Sequence, residues 1–231
     1  MTRDMSIRGS RPASEGGWPQ ERLIFCGVVA SGLCLIALHA RSAYVGRPAL
    51  GFMSWNLFLA WVPLALNATR ALINAGLRRV DLSARARLIW LAPLDAAWLL
   101  FLPNAPYLVT DLVHLSARPP VAYWFDLLMF CGFAATGCWL GVVSLEAALS
   151  RLRSPRVRAW ASLIVCLACG YGVYLGRVWR LNSWDVLEAP LTSLLGPMAS
   201  PMAALFTLAF AGFFGLQVWA FHVVRSARAP S

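Results

Sequence analysis

The stretch LLMFCGFAATGCWLGVVSL, residues 127–145, runs for 19 residues without a charged side chain. An α-helix rises 1.5 Å per residue, so a run of this length crosses the roughly 30 Å hydrocarbon core of a bilayer. Lipid offers the backbone no hydrogen-bond partner, and membrane-spanning segments are therefore helices or closed barrels. The stretch lacks the strict polar and apolar alternation of a barrel strand. It predicts a transmembrane helix.

Further apolar runs lie on both sides of this one. The six predicted spans cover residues 23–40, 49–69, 88–102, 121–146, 159–177 and 202–224. Composition agrees, since 59% of the residues are hydrophobic, 13% are charged and the mean hydropathy is +0.64. Lipid is therefore the solvent for most of the chain. We predict an all-α fold, a polytopic transmembrane helix bundle of about six spans.

The arginines indicate how the bundle is oriented. All 20 basic residues are arginines, and they lie between the apolar runs, so the net charge of +10 indicates membrane topology and no nucleic-acid partner. In a six-span arrangement, 15 arginines fall on the side of the two termini and 5 on the other. Short arginine-rich loops stay in the cytoplasm. The pattern predicts that both termini are cytoplasmic.

The chain is predicted to form a single transmembrane domain over residues 22–225. A flexible cytoplasmic tail at 1–21 precedes it and a C-terminal tail at 226–231 follows. The first span, with its basic tail and the Ala-Arg-Ser-Ala sequence ending at Ala43, is also compatible with a cleaved signal peptide. Because the tail is long and the run has full spanning length, we interpret the span as a retained anchor. Cleavage is the alternative.

The first unusual segment is FLPNAPYLVTDLVHL at 101–115, which this topology places outside. Its two prolines lack the N–H that a helix needs, so the third span must break there. Asn104 is predicted to cap a short new helix, interfacial or folded back into the bundle. Tyr107, Asp111 and His114 then fall on one polar stripe of that helix.

The second outer segment is YLGRVWRLNSWDVL at 174–187. Arg177 and Arg180 are three residues apart and share a helix face, and Trp184 suits an interfacial anchor. Asn182 or Ser183 is predicted to cap another short helix after residue 182. Asp185 would lie in the first turn of that helix, where the helix dipole favours a carboxylate.

Charged groups of these segments, with Asp126 at the outer end of the fourth span, are predicted to meet at one membrane surface. The candidate catalytic residues are Asp111, His114, Asp126 and Asp185. The candidate substrate or anion-binding residues are Arg177, Arg180, Asn104, Tyr107, Asn182 and Trp184. Ionisable groups at membrane depth are expensive and thus functional candidates. The alternative is structural: Arg177 would form ion pairs with Asp185 or Asp111, and Asp111 with His114 would be the solvated face of an interfacial helix.

No cofactor motif is evident in the sequence. Asp111 and His114 are weak candidate ligands for a divalent metal, because Asp-x-x-His alone is a short motif. The Cys166-x-x-Cys169 pair also resembles a metal or redox motif, but all six cysteines fall inside predicted spans, where they are expected to pack as small apolar groups.

Other polar residues lie inside or close to the spans. Asp95 is predicted to find a partner such as Asn56 or Asn67 on the second span, or to serve ion passage. Glu146 is predicted to be an interfacial charge. Two small-xxx-small patterns, Gly137 with Gly141 and Gly172 with Gly176, predict tight packing of the fourth span on the fifth, which would bring Asp126 towards Arg177.

Three stretches carry a family resemblance. They are WNLFLAWVPLAL at 55–66, the Pro-Asn-Ala-Pro-Tyr break with Thr-Asp-Leu-x-His at 103–114, and Arg180 with Asn-Ser-Trp-Asp at 182–185. Over approximately residues 40 to 225 the chain resembles the bacterial domain of unknown function 1361 family. The resemblance implies a multi-pass protein of the bacterial inner membrane and brings no assigned activity.

Three functions follow as hypotheses. The first is an extracytoplasmic binding or catalytic site for an envelope or lipid-linked substrate, built from the outer residues. The second is a small transporter or channel using Asp95 and Asp126. The third is a structural subunit with a membrane-protein partner. In all three, the lipid bilayer is the immediate surrounding of the chain.

Overall fold

The computed structural model describes residues 20–80, 82–185, 188 and 191–227. The tails beyond these limits lie outside the described residues. Six long helices follow one another, joined by short segments, and no strand occurs in the described ranges. The long helices are α1 Gln20–Val45, α2 Phe52–Arg79, α3 Ala84–Phe101, α5 Tyr123–Leu149, α6 Pro155–Val178 and α8 Pro201–Ser226. The short ones are α4 Asn104–Tyr107 and α7 Leu191–Leu195.

The six predicted spans are confirmed. All six long segments are long and apolar enough to cross a membrane, α3 being counted with its continuation to His114. Most helices extend a few residues beyond the predicted bounds, because arginines and other polar residues continue a helix past the hydrocarbon core. The third span is the irregular one, as its prolines predicted.

Helix α5 is the centre of the bundle. Its apolar window is 67% buried inside the protein, against at most 33% for any other long helix. Helices α1 and α2 pack on α5, while α6 pairs along α8 and α2 pairs with α3. Leucines and other large apolar residues of the surrounding helices point outwards, for example Ile36 and Leu205, each 66% exposed. In a bilayer these side chains contact lipid, which explains the long uncharged runs.

After α3 the chain turns back into the bundle. Helix α4 continues into a 3-10 helix, Leu108–His114, and we call residues 103–114 the re-entrant segment. Its Ala105 and Leu108 are 0% exposed, so the segment is folded back against α5. The predicted cap is wrong: Pro103 occupies the N-cap position, and the Asn104 amide binds elsewhere. Of the two predicted positions, interfacial or folded back, the structure has the second.

The glycines spaced four residues apart in α5 and α6 make room for this segment and not for a direct contact of α5 with α6. A Cβ at Gly137 would overlap the Ala105 carbonyl oxygen, and one at Gly172 would lie 2.5 Å from Pro103 Cγ. Glycine thus lets α5 and α6 approach the re-entrant segment from two sides. The predicted tight packing of the fourth span on the fifth is wrong, because the re-entrant segment lies against both helices there.

A buried ion pair joins α1 to α5. Arg41 Nε donates to Asp126 Oδ1 at 2.6 Å and Arg41 Nη2 to Asp126 Oδ2 at 2.9 Å. The two residues are 3% and 1% exposed. The ion-pair partner of Asp126 is therefore Arg41, whereas its predicted approach to Arg177 stays a prediction.

Candidate binding site

A cavity of about 430 Å³ opens at the end of the bundle where α2 begins and α6 ends. Its walls are the first turns of α2, the re-entrant segment, the last turns of α6 and the chain that follows. The polar residues that line it are Asn56, Asn104, Tyr107, His114, Arg177, Arg180 and Asn182. Most of them lie in the two outer segments singled out in the sequence, about 70 residues apart in the chain.

Arg177 enters the cavity from the last turn of α6. One of its guanidinium nitrogens, Nη1, lies 3.3 Å from Nε2 of His114. A guanidinium only donates hydrogen bonds, so Nε2 accepts and this imidazole is neutral. The His114 ring also meets Phe52 edge-on, with ring centroids 5.1 Å apart. The histidine thus holds Arg177 in place without neutralising its charge.

Arg180 has an unusual backbone conformation. Its φ is +57°, in the left-handed region that glycine normally occupies at helix ends. The chain reverses there, and the Leu181 N–H donates to the Leu175 carbonyl at 3.3 Å. Left-handed geometry costs an ordinary residue about 1–2 kcal/mol. The conformation turns the chain at the end of α6 and leaves the Arg180 side chain on the cavity wall.

The cavity has a positive character. Among the described residues, no carboxylate lies within 4.0 Å of the guanidinium of Arg177 or Arg180. Asp111 is one 3-10 turn before His114 but 2% exposed, and its Oδ2 accepts a 2.8 Å hydrogen bond from Asn56. The structural alternative, Arg177 paired with Asp185 or Asp111, is therefore not what the described residues show. Asp111 also does not belong to the solvated face of an interfacial helix, because its side chain is buried.

Hydrogen bonds fix the chain after α6 over the end of α3. Asn104 Nδ2 donates to the Phe101 carbonyl and to Ser183 Oγ, both at 2.9 Å. Ser183 Oγ in turn donates to the Leu100 carbonyl at 3.1 Å. On the facing wall, the Tyr107 ring lies against Gly176, where a Cβ would come within 3.2 Å of the ring. These contacts hold both outer segments together and keep the cavity preformed.

The turn after α6 differs from its prediction. Asp185 Oδ2 accepts hydrogen bonds from the Asn182 backbone N–H at 2.6 Å and from Asn182 Nδ2 at 3.0 Å. Asp185 therefore closes a turn, and Asn182 is bound to it instead of capping a helix. Residues 186, 187, 189 and 190 lie outside the described residues, so the predicted helix after 182 falls largely there. The next described helix is α7.

The structure brings six of the predicted site residues to one cavity, namely Asn104, Tyr107, His114, Arg177, Arg180 and Asn182. Asp126 is at the ion pair with Arg41, and neither Trp184 nor Asp185 lines the cavity. Seven of the 13 lining residues were not predicted for this site, among them Trp55 and Leu59 of α2. Both fall in the WNLFLAWVPLAL stretch at 55–66. The stretch begins with Trp55 and Asn56, and this polar and aromatic pair at the end of an apolar run is the sequence feature that could have indicated the site.

A second polar cluster lies at the opposite end of the bundle. Asp95 is paired with Arg70 at 2.5 Å and Arg151 at 3.4 Å, so its predicted partners Asn56 and Asn67 are wrong. Asn67 instead donates to the Ser144 carbonyl at 2.9 Å and accepts from Arg151. Burial and the neighbouring Arg70 lower the pKa of Arg151, which still remains a cation at neutral pH.

Glu146 belongs to this same end but is not the interfacial charge that was predicted. It is 4% exposed and lies 3.5 Å from His222 Nδ1 and 3.9 Å from Arg158 Nη2. Its Oε1 finds no hydrogen-bond partner among the described residues. The contacts join α5, α6 and α8, and they place Glu146 inside the bundle between two basic side chains.

The described part of the chain contains no group of three or more His, Cys, Asp or Glu side chains arranged to hold a metal ion. Asp111 and His114, the predicted metal ligands, are occupied by Asn56 and by the Arg177 guanidinium. All six cysteines are free, and four of them, including Cys166 and Cys169, are buried. These four pack as small apolar groups inside the bundle, as predicted for cysteines in the spans.

Six long apolar helices, five of them packed around the buried α5, with a polar cavity at one end of the bundle, define a multi-pass integral membrane protein. A comparison with protein families agrees with the motifs. Residues 55–220 match the family described as Protein of unknown function (DUF1361), and the chain belongs to that family. No curated protein and no solved structure matches the chain.

Proposed function

We propose that this protein binds an anionic group of an envelope or lipid-linked substrate in the cavity formed by the two outer segments. The observation that carries the proposal is the pair of arginines, Arg177 and Arg180, on one cavity wall without a carboxylate within 4.0 Å among the described residues. Guanidinium groups bind phosphate through paired, charge-assisted hydrogen bonds. Tyr107 of the re-entrant segment also lines the cavity.

The shape of the cavity supports an organic substrate that carries phosphate. Its volume of about 430 Å³ lies within the range of small-molecule pockets, about 300–1,000 Å³. Trp55, 53% exposed, and Leu59 line the side formed by α2. A tryptophan with one face on a cavity and one towards the surroundings suits the boundary between headgroups and acyl chains. A phosphate bound to a sugar or a lipid tail fits this combination of charge and apolar wall.

We further propose that the bundle lies in the bacterial inner membrane with both termini in the cytoplasm, which places the cavity on the extracytoplasmic face. The distribution of 15 arginines against 5 supports this orientation.

Reporter fusions test the orientation. A phosphatase that is active only outside the cytoplasm should be active when fused after residue 117, in the loop that follows the re-entrant segment. The matched control is a fusion after Arg153, between α5 and α6, which should be inactive. The reverse pattern of activity would move the cavity to the cytoplasmic face and reject this part of the proposal.

Binding of a phosphate probe tests the proposed ligand. We expect the purified full-length protein to bind a short-chain polyprenyl phosphate, and Arg177→Gln to weaken that binding about tenfold to a hundredfold, because a hydrogen bond to a charged group contributes about 1.5–3 kcal/mol. Arg180→Gly should weaken binding similarly while leaving the melting temperature unchanged or raised, since glycine adopts the left-handed conformation without strain.

The control for this binding experiment is Arg47→Gln, an exposed arginine that does not line the cavity. It should bind the probe as tightly as the unmodified chain. The uncharged polyprenol, measured in parallel, separates recognition of the phosphate from partition of the tail. Equal affinity for polyprenol and polyprenyl phosphate, or full affinity in both arginine variants, would contradict the proposal.

A further inference from the structure

A second and larger hollow lies on another side of the bundle, between α1, α5 and α8. It has a volume of about 730 Å³ and is lined almost wholly by apolar side chains. The re-entrant segment closes one end through Val109 and Leu112, and the other end reaches Leu23 and Arg225. We call this hollow the apolar groove. The polar cavity described above is lined by other residues of the re-entrant segment, so the two sites are separate.

Small side chains create the groove. Cys131, Ala134, Ala135 and Cys138 of α5 form its floor, opposite Ala220 of α8. Larger residues at these positions would fill the space that the helices leave between them. The groove therefore follows from the sequence of α5 and α8.

One wall of the groove is held in a fixed geometry. The Trp139 ring meets Phe221 edge-on, with centroids 5.9 Å apart. The indole Nε1 of Trp139 donates to the Leu23 carbonyl at 3.0 Å, which ties α1 to α5 beside the groove. The polar N–H of Trp139 on this wall already has its hydrogen-bond partner within the protein. A ligand in the groove therefore needs to provide only apolar contacts there.

The length of the groove matches one leaflet. Along α8 it runs from Phe213, near the middle of the helix, to Arg225 in the last turn, and at 1.5 Å per residue these 12 steps correspond to about 18 Å. The hydrocarbon core of a bilayer is about 30 Å thick, so one leaflet contributes about 15 Å. A single acyl chain, extended along the helices, fits these dimensions.

The charge at the end of the groove selects the headgroup. Arg225 lies in the last turn of α8, and no carboxylate lies within 4.0 Å of it among the described residues. Among the described lining residues, the other side chains with polar atoms are Gln217, the indole of Trp139 and two cysteine thiols. An arginine at the headgroup level attracts a phosphate, and its attraction is stronger for a lipid with net negative charge.

We propose that the apolar groove binds one acyl chain of an anionic phospholipid, with its phosphate on Arg225. The lipid comes from the leaflet on the side where α1 begins and α8 ends. This site is independent of the polar cavity, and its ligand is a component of the bilayer and not a substrate.

Native mass spectrometry of the full-length protein tests the site. We expect one phosphatidylglycerol to stay bound per chain after detergent extraction, with phosphatidylcholine of the same acyl chains retained at least about tenfold less. Ala135→Trp fills the groove from an exposed position and should lower retention of phosphatidylglycerol about tenfold. Arg225→Gln keeps the groove but removes the charge, and it should make retention of the two lipids equal.

The control is Leu216→Trp, a lipid-facing position on α8 that is 62% exposed and not on the groove. It should retain phosphatidylglycerol like the unmodified chain. Equal retention of both lipids by the unmodified chain would mean an ordinary lipid annulus and overturn the proposal. A dimer that Ala135→Trp dissociates would identify a second copy as the occupant instead. If Ala135→Trp does not fold, the Arg225→Gln comparison decides alone.

Discussion

Replacing Arg41 with alanine should lower the free energy of unfolding by about 3–5 kcal/mol, the usual effect of removing one partner of a buried ion pair. Asp126 is 1% exposed and receives both of its short hydrogen bonds from Arg41. Without the guanidinium, its carboxylate stays buried and unpaired. Unfolding by sodium dodecyl sulfate, followed by circular dichroism of the purified protein, measures the loss.

The double variant Arg41→Met/Asp126→Leu is the informative control. It removes both charges at similar side-chain volume, and we expect it to recover most of the stability, because replacing a whole buried pair with apolar residues is often neutral. Arg47→Ala, which changes an exposed arginine two residues after the end of α1, should change stability little. A loss in Arg41→Ala no larger than in Arg47→Ala would show that the pair does not hold α1 on the bundle.

Gly137→Ala should produce the second large effect. A Cβ at this position would overlap the Ala105 carbonyl oxygen and lie 3.0 Å from Leu108 Cβ. The re-entrant segment must then move off α5, and overpacking of this kind costs about 1–3 kcal/mol. Because Asn104 and Tyr107 belong to the same segment, binding of the polyprenyl phosphate probe should weaken as well.

A second glycine provides the matched control for this substitution. Gly212 lies in α8, and nothing lies within 4 Å of a Cβ built there. Gly212→Ala should therefore leave the protein as stable or more stable, by up to about 1 kcal/mol from helix propensity. Equal stability changes in Gly137→Ala and Gly212→Ala, by the same detergent titration, would refute the close approach of the re-entrant segment.

The sequence was sufficient for the architecture because lipid imposes strong rules. Uncharged runs such as 127–145 have to be helices, and the prolines at 103 and 106 have to end one. The convergence of the two outer segments was also accessible, since alternate short loops emerge on the same surface. Their residues His114 and Arg177 are 63 positions apart and still in contact.

The pairing of individual charges was not accessible. Arg41 sits next to a motif that resembles a cleavage site, and nothing in its spacing points to Asp126, 85 residues away. The glycine patterns correctly indicated close packing but could not name the neighbour. The neighbour of these glycines is the re-entrant segment, which lies between α5 and α6. Helix periodicity predicts contacts between regular helices and gives no position for an irregular segment that folds back. Asp95 was assigned to amides for the same reason, because its partners Arg70 and Arg151 come from α2 and from the loop after α5, and their distance from Asp95 is set only by the fold.

The family match covers residues 55–220, yet the earlier helix α1 is attached to this region by the Arg41–Asp126 ion pair and by a hydrogen bond from Trp139 Nε1 to the Leu23 carbonyl. The matched region and the packed bundle thus begin at different residues. Transmembrane helices can insert one by one and then associate within the bilayer. Helix α1 therefore packs on the rest of the bundle much as a separate subunit would, although it belongs to the same chain. A protein truncated to the matched region would expose the face of α5 that α1 covers, with the unpaired carboxylate of Asp126 at one end of that face.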